Sequence, residues 1–129
     1  MIDHSELQDI LVGARLVELS QDYMLVQKDG VEIRFDFVTD GVECCGFANI
    51  ETTLLTDDIK EMPAIVKLNF EDSKDERFGG RFCTVNLIGA SKQLGRISAE
   101  AGSASGWEYG AFASVKCAVK NFEHILAEW

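Results

Sequence analysis

Apolar and polar residues alternate most regularly on either side of Asp29-Gly30. Val31, Ile33, Phe35 and Phe37 interleave with Glu32, Arg34 and Asp36, the period-two pattern of a strand with one buried and one wet face. A second apolar run, Tyr23–Lys28, lies just upstream. Asp-Gly between two such runs predicts a hairpin, because a type I′ turn needs positive φ at both central residues. A two-residue loop sets the register. Val26 then opposes Ile33 and Met24 opposes Phe35 on one face, while Leu25 opposes Arg34 and Tyr23 opposes Asp36 on the other.

The same alternation predicts further strands at residues 14–20, 47–53, 64–71, 81–88, 94–100 and 113–119. Expected core positions are Val17 and Leu19; Ala64, Val66, Leu68 and Phe70; Cys83, Val85 and Leu87; Ile97 and Ala99; and Ala113, Val115, Cys117 and Val119. Turn signals fall at residues 39–41 and 89–93, an exposed charged loop at 72–80, and a flexible loop, GSASG, at 102–106. Thr56-Asp57-Asp58 caps a helical turn that Pro63 stops near Met62. Two helices flank the strands. Ser5-Glu6-Leu7-Gln8 fits a capping box opening a helix over residues 5–12 that ends at Gly13. Phe122, Ile125, Leu126 and Trp129, spaced i, i+3, i+4, i+7, predict an amphipathic helix over residues 120–129. The expected fold is a single mainly β (β-rich α+β) domain, residues 1–129. Seven or eight short strands form an antiparallel sheet, a sandwich or an open barrel.

Composition narrows the function. A hydrophobic content of 47% excludes a disordered chain, and no apolar run approaches the roughly 18 residues of a membrane span. The opening MIDHSELQDI lacks the basic start and apolar centre of a signal peptide. A cytoplasmic location with reduced thiols is therefore expected. The net charge of −10, from 22 acids against 12 bases, disfavours direct binding to nucleic-acid phosphates and favours association with a basic protein.

The candidate chemistry is sparse. Cys44 and Cys45 are adjacent, so on extended chain they point to opposite faces. Cys83 and Cys117 are isolated and read as core thiols. Zinc ligands usually come in spaced pairs, which this chain lacks. His4 is expected to be a solvated N-terminal residue and His124 to lie on the exposed face of the last helix. No HExxH, GxGxxG or P-loop pattern is present, and nothing places a histidine beside a cysteine. Glu43 next to Cys44-Cys45 disfavours a thiolate. Trp107 and Tyr109 follow the glycine-rich loop as core plugs or, if exposed, interface anchors.

Leu11-Val12-Gly13, Asp29-Gly30, Glu43-Cys44-Cys45 and Asn49-Ile50-Glu51 resemble the motifs of a small β-domain family of phages and bacteria. The stretch from Ser105 to Gly110 resembles that family's late Ser-Asn-Gly-Tyr-Tyr turn. Gly46 and Trp107-Glu108-Tyr109 depart from it, where the family carries an acid and paired tyrosines. The family has no established activity, so the resemblance implies a fold. Together these readings point to a non-enzymatic, cofactor-free interaction protein of phage or bacterial accessory type, such as an inhibitor or immunity protein. Its tentative contact residues are Glu43, Cys44, Cys45, Trp107 and Tyr109. The alternative is a metal or redox centre on Cys44 and Cys45, completed by Cys83, Cys117, Glu43 or a histidine.

Overall fold

The computed structural model describes residues 3–41, 46–75, 80–103, 111–117 and 121–129. One short helix, α1 (Ser5–Leu11), precedes nine strands. These are β1 (Arg15–Leu19), β2 (Tyr23–Lys28), β3 (Val31–Asp40), β4 (Gly46–Leu54), β5 (Lys67–Asp75), β6 (Gly80–Ile88), β7 (Gln93–Ser103), β8 (Phe112–Cys117) and β9 (Phe122–Glu128). They form two antiparallel sheets, ordered β1-β2-β3-β8-β9 and β4-β7-β6-β5. No barrel closes. The inner faces of both sheets meet in one core that includes Met24, Phe35 and Val115 from the first and Val85, Leu87 and Ile97 from the second. Among the described residues no helix is long and apolar enough to cross a membrane.

The Asp-Gly hairpin forms in the expected register: Val26↔Ile33, Met24↔Phe35, Leu25↔Arg34 and Tyr23↔Asp36. Asp29 and Gly30 take φ of 53° and 77°, as a type I′ turn requires. Cys83, Val85 and Leu87 of β6 and Ala113, Val115 and Cys117 of β8 are buried, as expected; Val119, expected on the same face, lies outside the described residues.

The structure corrects several expectations. The C-terminal helix is a strand. In β9, Phe122, His124 and Leu126 point inward, a period of two that coexists with the i, i+3, i+4, i+7 spacing. Over the eight residues from Phe122 to Trp129 the two patterns overlap, and pairing with β8 decides between them. In β1 the buried residue is Leu16 rather than Val17 or Leu19, and an irregularity between Leu16 and Glu18 breaks the alternation. The run expected at residues 64–71 divides in two. Ile65 is buried and Val66 is 53% exposed, so Pro63 to Ile65 belongs beside β1, and β5 begins at Lys67. That strand then continues through the expected loop to Asp75. The capping box is not made. Asp3 Oδ1 accepts the Ser5 N–H at 3.0 Å, and no side chain caps from the N-cap residue, His4.

Segments outside the ladders close the sheet edges. Gly13 N–H donates to Ile65 O (2.8 Å), Ile65 N–H to Ala14 O (2.7 Å) and Leu16 N–H to Pro63 O (2.9 Å), covering β1. Gln21 treats β4 as a strand would: its Nε2 donates to Thr52 O (2.7 Å) and its Oε1 accepts Thr52 N–H (3.1 Å). Lys28 Nζ donates to the carbonyls of Asp9, Ile10 and Val12 at 3.1–3.3 Å. A cation at this end of α1 satisfies orphan carbonyls and complements the helix dipole.

Phe35 is fully buried and Val31, on the same strand, is 58% exposed. Phe35→Ala is expected to destabilise the fold by about 3–5 kcal/mol and Val31→Ala by no more than about 0.5 kcal/mol, read from urea denaturation midpoints.

Candidate functional site

The sequence-derived contact residues Glu43, Cys44, Cys45, Trp107 and Tyr109 lie outside the described residues. The flanks of the cysteine pair do meet: a Cβ on Gly41 would sit 2.8 Å from Gly46 O, so glycine is needed for that approach. Two other places in the described structure carry chemistry.

The first lies between the sheets. His4 and His124, both expected in solvent, are only 8% and 7% exposed. His4 Nδ1 lies 2.7 Å from His124 Nε2. His4 Nε2 lies 3.0 Å and 3.2 Å from the two Asp72 oxygens, and Cys83 Sγ lies 3.9 Å from the same nitrogen. Asp72 opposes Cys83 across the β5–β6 ladder, on the inner face. Once Leu68 is known to face inward, period two carries Phe70 and Asp72 to that face as well. His124 comes from β9, the outermost strand of the other sheet. His4 is thus a polar link between β5 and β9, and its ring stacks on Phe70 with centroids 4.2 Å apart and planes 4° from parallel. The sequence signal for this site was present, but it was hidden by the helical reading of residues 120–129 and the loop reading of residues 72–80.

One neutral assignment satisfies these hydrogen bonds. With Nε2–H donated to the Asp72 carboxylate, His4 Nδ1 is an acceptor and takes the His124 Nε2–H. Burial, and then neighbouring His4, hold the His124 imidazole below the ordinary histidine value. Burial pushes the Cys83 thiol well above its ordinary value, and the hydrogen bond and negative charge of Asp72 push it further. A nucleophilic Cys-His-Asp arrangement needs the thiol on one ring nitrogen and the carboxylate on the other. Here both converge on Nε2, and the thiol is kept protonated. The geometry supports ligation better than nucleophilic attack.

The second place is the solvent face of the sheet β4-β7-β6-β5. Cross-strand rows run Asn49-Glu100-Phe82-Ser73 and Glu51-Ser98-Thr84-Glu71. Asn49, Glu51, Phe82, Thr84, Ser98 and Glu100 line a shallow recess of about 180 Å³. Two carboxylates and an aromatic ring share it, and no base is among its lining residues. Next to it the Phe47 ring lies over Gly102, where a Cβ would come within 2.8 Å of the ring. On the neighbouring part of the face, Arg96 Nε and Gln93 Nε2 donate to Asn86 Oδ1 at 3.4 and 2.6 Å.

No protein-family model, characterised protein or solved structure matches the chain.

Buried His124 makes stability depend on pH. Because the native pKa of His124 is lowered, the unfolded chain binds the extra proton more readily. Stability is full above the ordinary value of 6.5 and is lost as pH falls from there through the lowered native value. The neighbouring ionisable groups are His4, Asp3 and Asp72. Urea midpoints measured between pH 8 and pH 5 are expected to fall with a slope of at most about 1.4 kcal/mol per pH unit from this proton. His124→Gln is expected to flatten the pH 7 to 5 part of the curve.

Proposed function

We propose that the protein is a non-enzymatic binding protein that seats a lysine or arginine side chain of a basic protein partner in the Glu51–Glu100–Phe82 recess. The observation that carries this reading is the donor set of the recess, two carboxylates beside an exposed phenyl ring without a compensating base. A cation over an aromatic face gains about 0.5–1 kcal/mol at exposed sites, and the diagonally placed carboxylates of Glu51 and Glu100 add charge-assisted hydrogen bonds. The net charge of −10 steers a basic partner toward the chain. The buried cluster supports the non-enzymatic part of the reading, since its thiol is held protonated and both nitrogens of His4 are engaged. An accessory role of phage or bacterial type fits this reading and the resemblance alike.

Titration of the isotopically labelled protein with a short lysine-rich peptide and its glutamine-substituted counterpart tests the proposal. Amide shifts are expected at Asn49, Glu51, Phe82, Thr84, Ser98 and Glu100 with the basic peptide only. The double substitution Glu51→Gln/Glu100→Gln is expected to weaken binding about tenfold, or about 1.4 kcal/mol. Shifts scattered over the acidic surface, or an affinity unchanged by the double substitution, would overturn it.

A further inference from the structure

Two donors of different chemistry, a carboxylate and a thiol, converge on one buried ring nitrogen. His4 Nε2, an Asp72 oxygen and Cys83 Sγ all lie within 4.8 Å of one another. Tetrahedral coordination with bonds of about 2.0–2.3 Å places its donors about 3.2–3.8 Å apart. The observed separations from Nε2, 3.0–3.2 Å to Asp72 and 3.9 Å to Cys83, match that spacing to within a few tenths of an ångström. We propose that His4, Asp72 and Cys83 form a binding site for a divalent transition ion of the zinc and cobalt(II) class, with His124 as the outer hydrogen-bond partner of His4. This site is independent of the recess on the opposite face of the sheet.

The donor set selects the ion. Calcium and magnesium take oxygen ligands, whereas one imidazole, one thiolate and one carboxylate suit borderline transition ions. Charge balance favours it too: Asp72 and a deprotonated Cys83 supply two negative charges against two positive ones, so the buried assembly is neutral. The second coordination sphere is already built. A ligating histidine usually donates its other N–H to a fixed acceptor. His4 Nδ1 sits 2.7 Å from His124 Nε2, and Phe70 holds the ring plane. On binding, the Nε2 position of His4 passes to the ion, the Nε2 proton of His4 is replaced by one on Nδ1 that donates to His124 Nε2, and neutral His124 changes tautomer, its single proton moving from Nε2 to Nδ1. The one proton released is the thiol's. Three protein donors leave a fourth position open. The Asp72 side chain is 31% exposed while that of His4 is 7% exposed, so the entry path runs past Asp72.

Cobalt(II) titration of the full chain, stripped of metal with a chelator and kept reduced, tests the proposal. The expected result is one equivalent bound, with visible bands of tetrahedral cobalt and a thiolate-to-cobalt charge-transfer band. Cys83→Ser is expected to abolish the charge-transfer band, and Asp72→Asn to weaken binding at least tenfold. His124→Gln is expected to keep the spectrum and weaken affinity about 10–100-fold, as loss of an outer-sphere partner does. The double variant Cys44→Ser/Cys45→Ser is expected to bind as wild type. Circular dichroism confirms the fold of each variant, and Asp72→Asn, on a sheet edge, serves if Cys83→Ser does not fold. Absence of the bands in the wild type, their persistence in Cys83→Ser, or their loss in the Cys44/Cys45 variant would overturn the proposal.

Discussion

Two stacked antiparallel sheets hide their facing surfaces but leave the seams between their outermost strands open, and closing those seams is the constraint on which the rest of the fold depends. Each closure uses a different device. Backbone groups of residues 63–65 cover β1. The Gln21 amide stands in for a strand against β4. At the β5–β9 seam the device is a single imidazole, bonded to Asp72 on one sheet and His124 on the other. The last is the least expected, because an apolar side chain would close the gap without desolvating a carboxylate and two imidazoles. Every buried side-chain nitrogen and oxygen among the described residues nevertheless finds a partner. The network is therefore satisfied as a unit, and removing one member leaves another buried and unpaired, at a cost of about 1–3 kcal/mol.

This arrangement explains the position of α1. A seven-residue helix is too short to be stable alone. Leu7 and Leu11 anchor it in the core, Lys28 holds its C-terminal carbonyls, and His4 fixes its start. The helix is short because its work is done at its ends. The Asp3 carboxylate, which accepts the Ser5 N–H, is held below its ordinary value by that bond and does the capping that Ser5 was expected to do.

Much of the fold was legible because its strands obey period two where pairing is regular. The Asp29-Gly30 hairpin and the inward faces of β6 and β8 followed from alternation and turn chemistry alone. What escaped was decided by pairing between distant segments. Phe122, Ile125, Leu126 and Trp129 satisfy a helical spacing over a stretch too short to exclude a strand, and only β8 selects the extended form. That one choice moved His124 from solvent to the seam. Charged residues after Glu71 read as loop because a sheet edge tolerates charge on both faces, and that reading concealed Asp72. His4 has no local pattern at all; its burial depends on the start of α1 being placed between Asp72 of β5 and His124 of β9. The Cys44-Cys45 pair drew notice by adjacency, whereas the cysteine beside a buried histidine is Cys83, which looked like an ordinary core thiol.

The two candidate sites are the two faces of the same strands. On β6, Phe82 and Thr84 point to solvent and Cys83 points inward; on β5, Glu71 faces out and Asp72 in; on β7, Glu100 faces out and Ala99 lies beneath it. Because the side-chain period of a strand is two, a slip of one residue in any of these ladders would exchange the faces. It would put Phe82 against His4 and Cys83 in the recess. The small residues at Ala99 and Ala101 are consistent with this demand, leaving room above β7 for His124 and its neighbours on β9. The inner cluster, by tying Asp72 and Cys83 to one imidazole, fixes the β5–β6 register at the place where the outer recess needs it. The chemistry on the buried face thereby helps to hold the geometry of the exposed one.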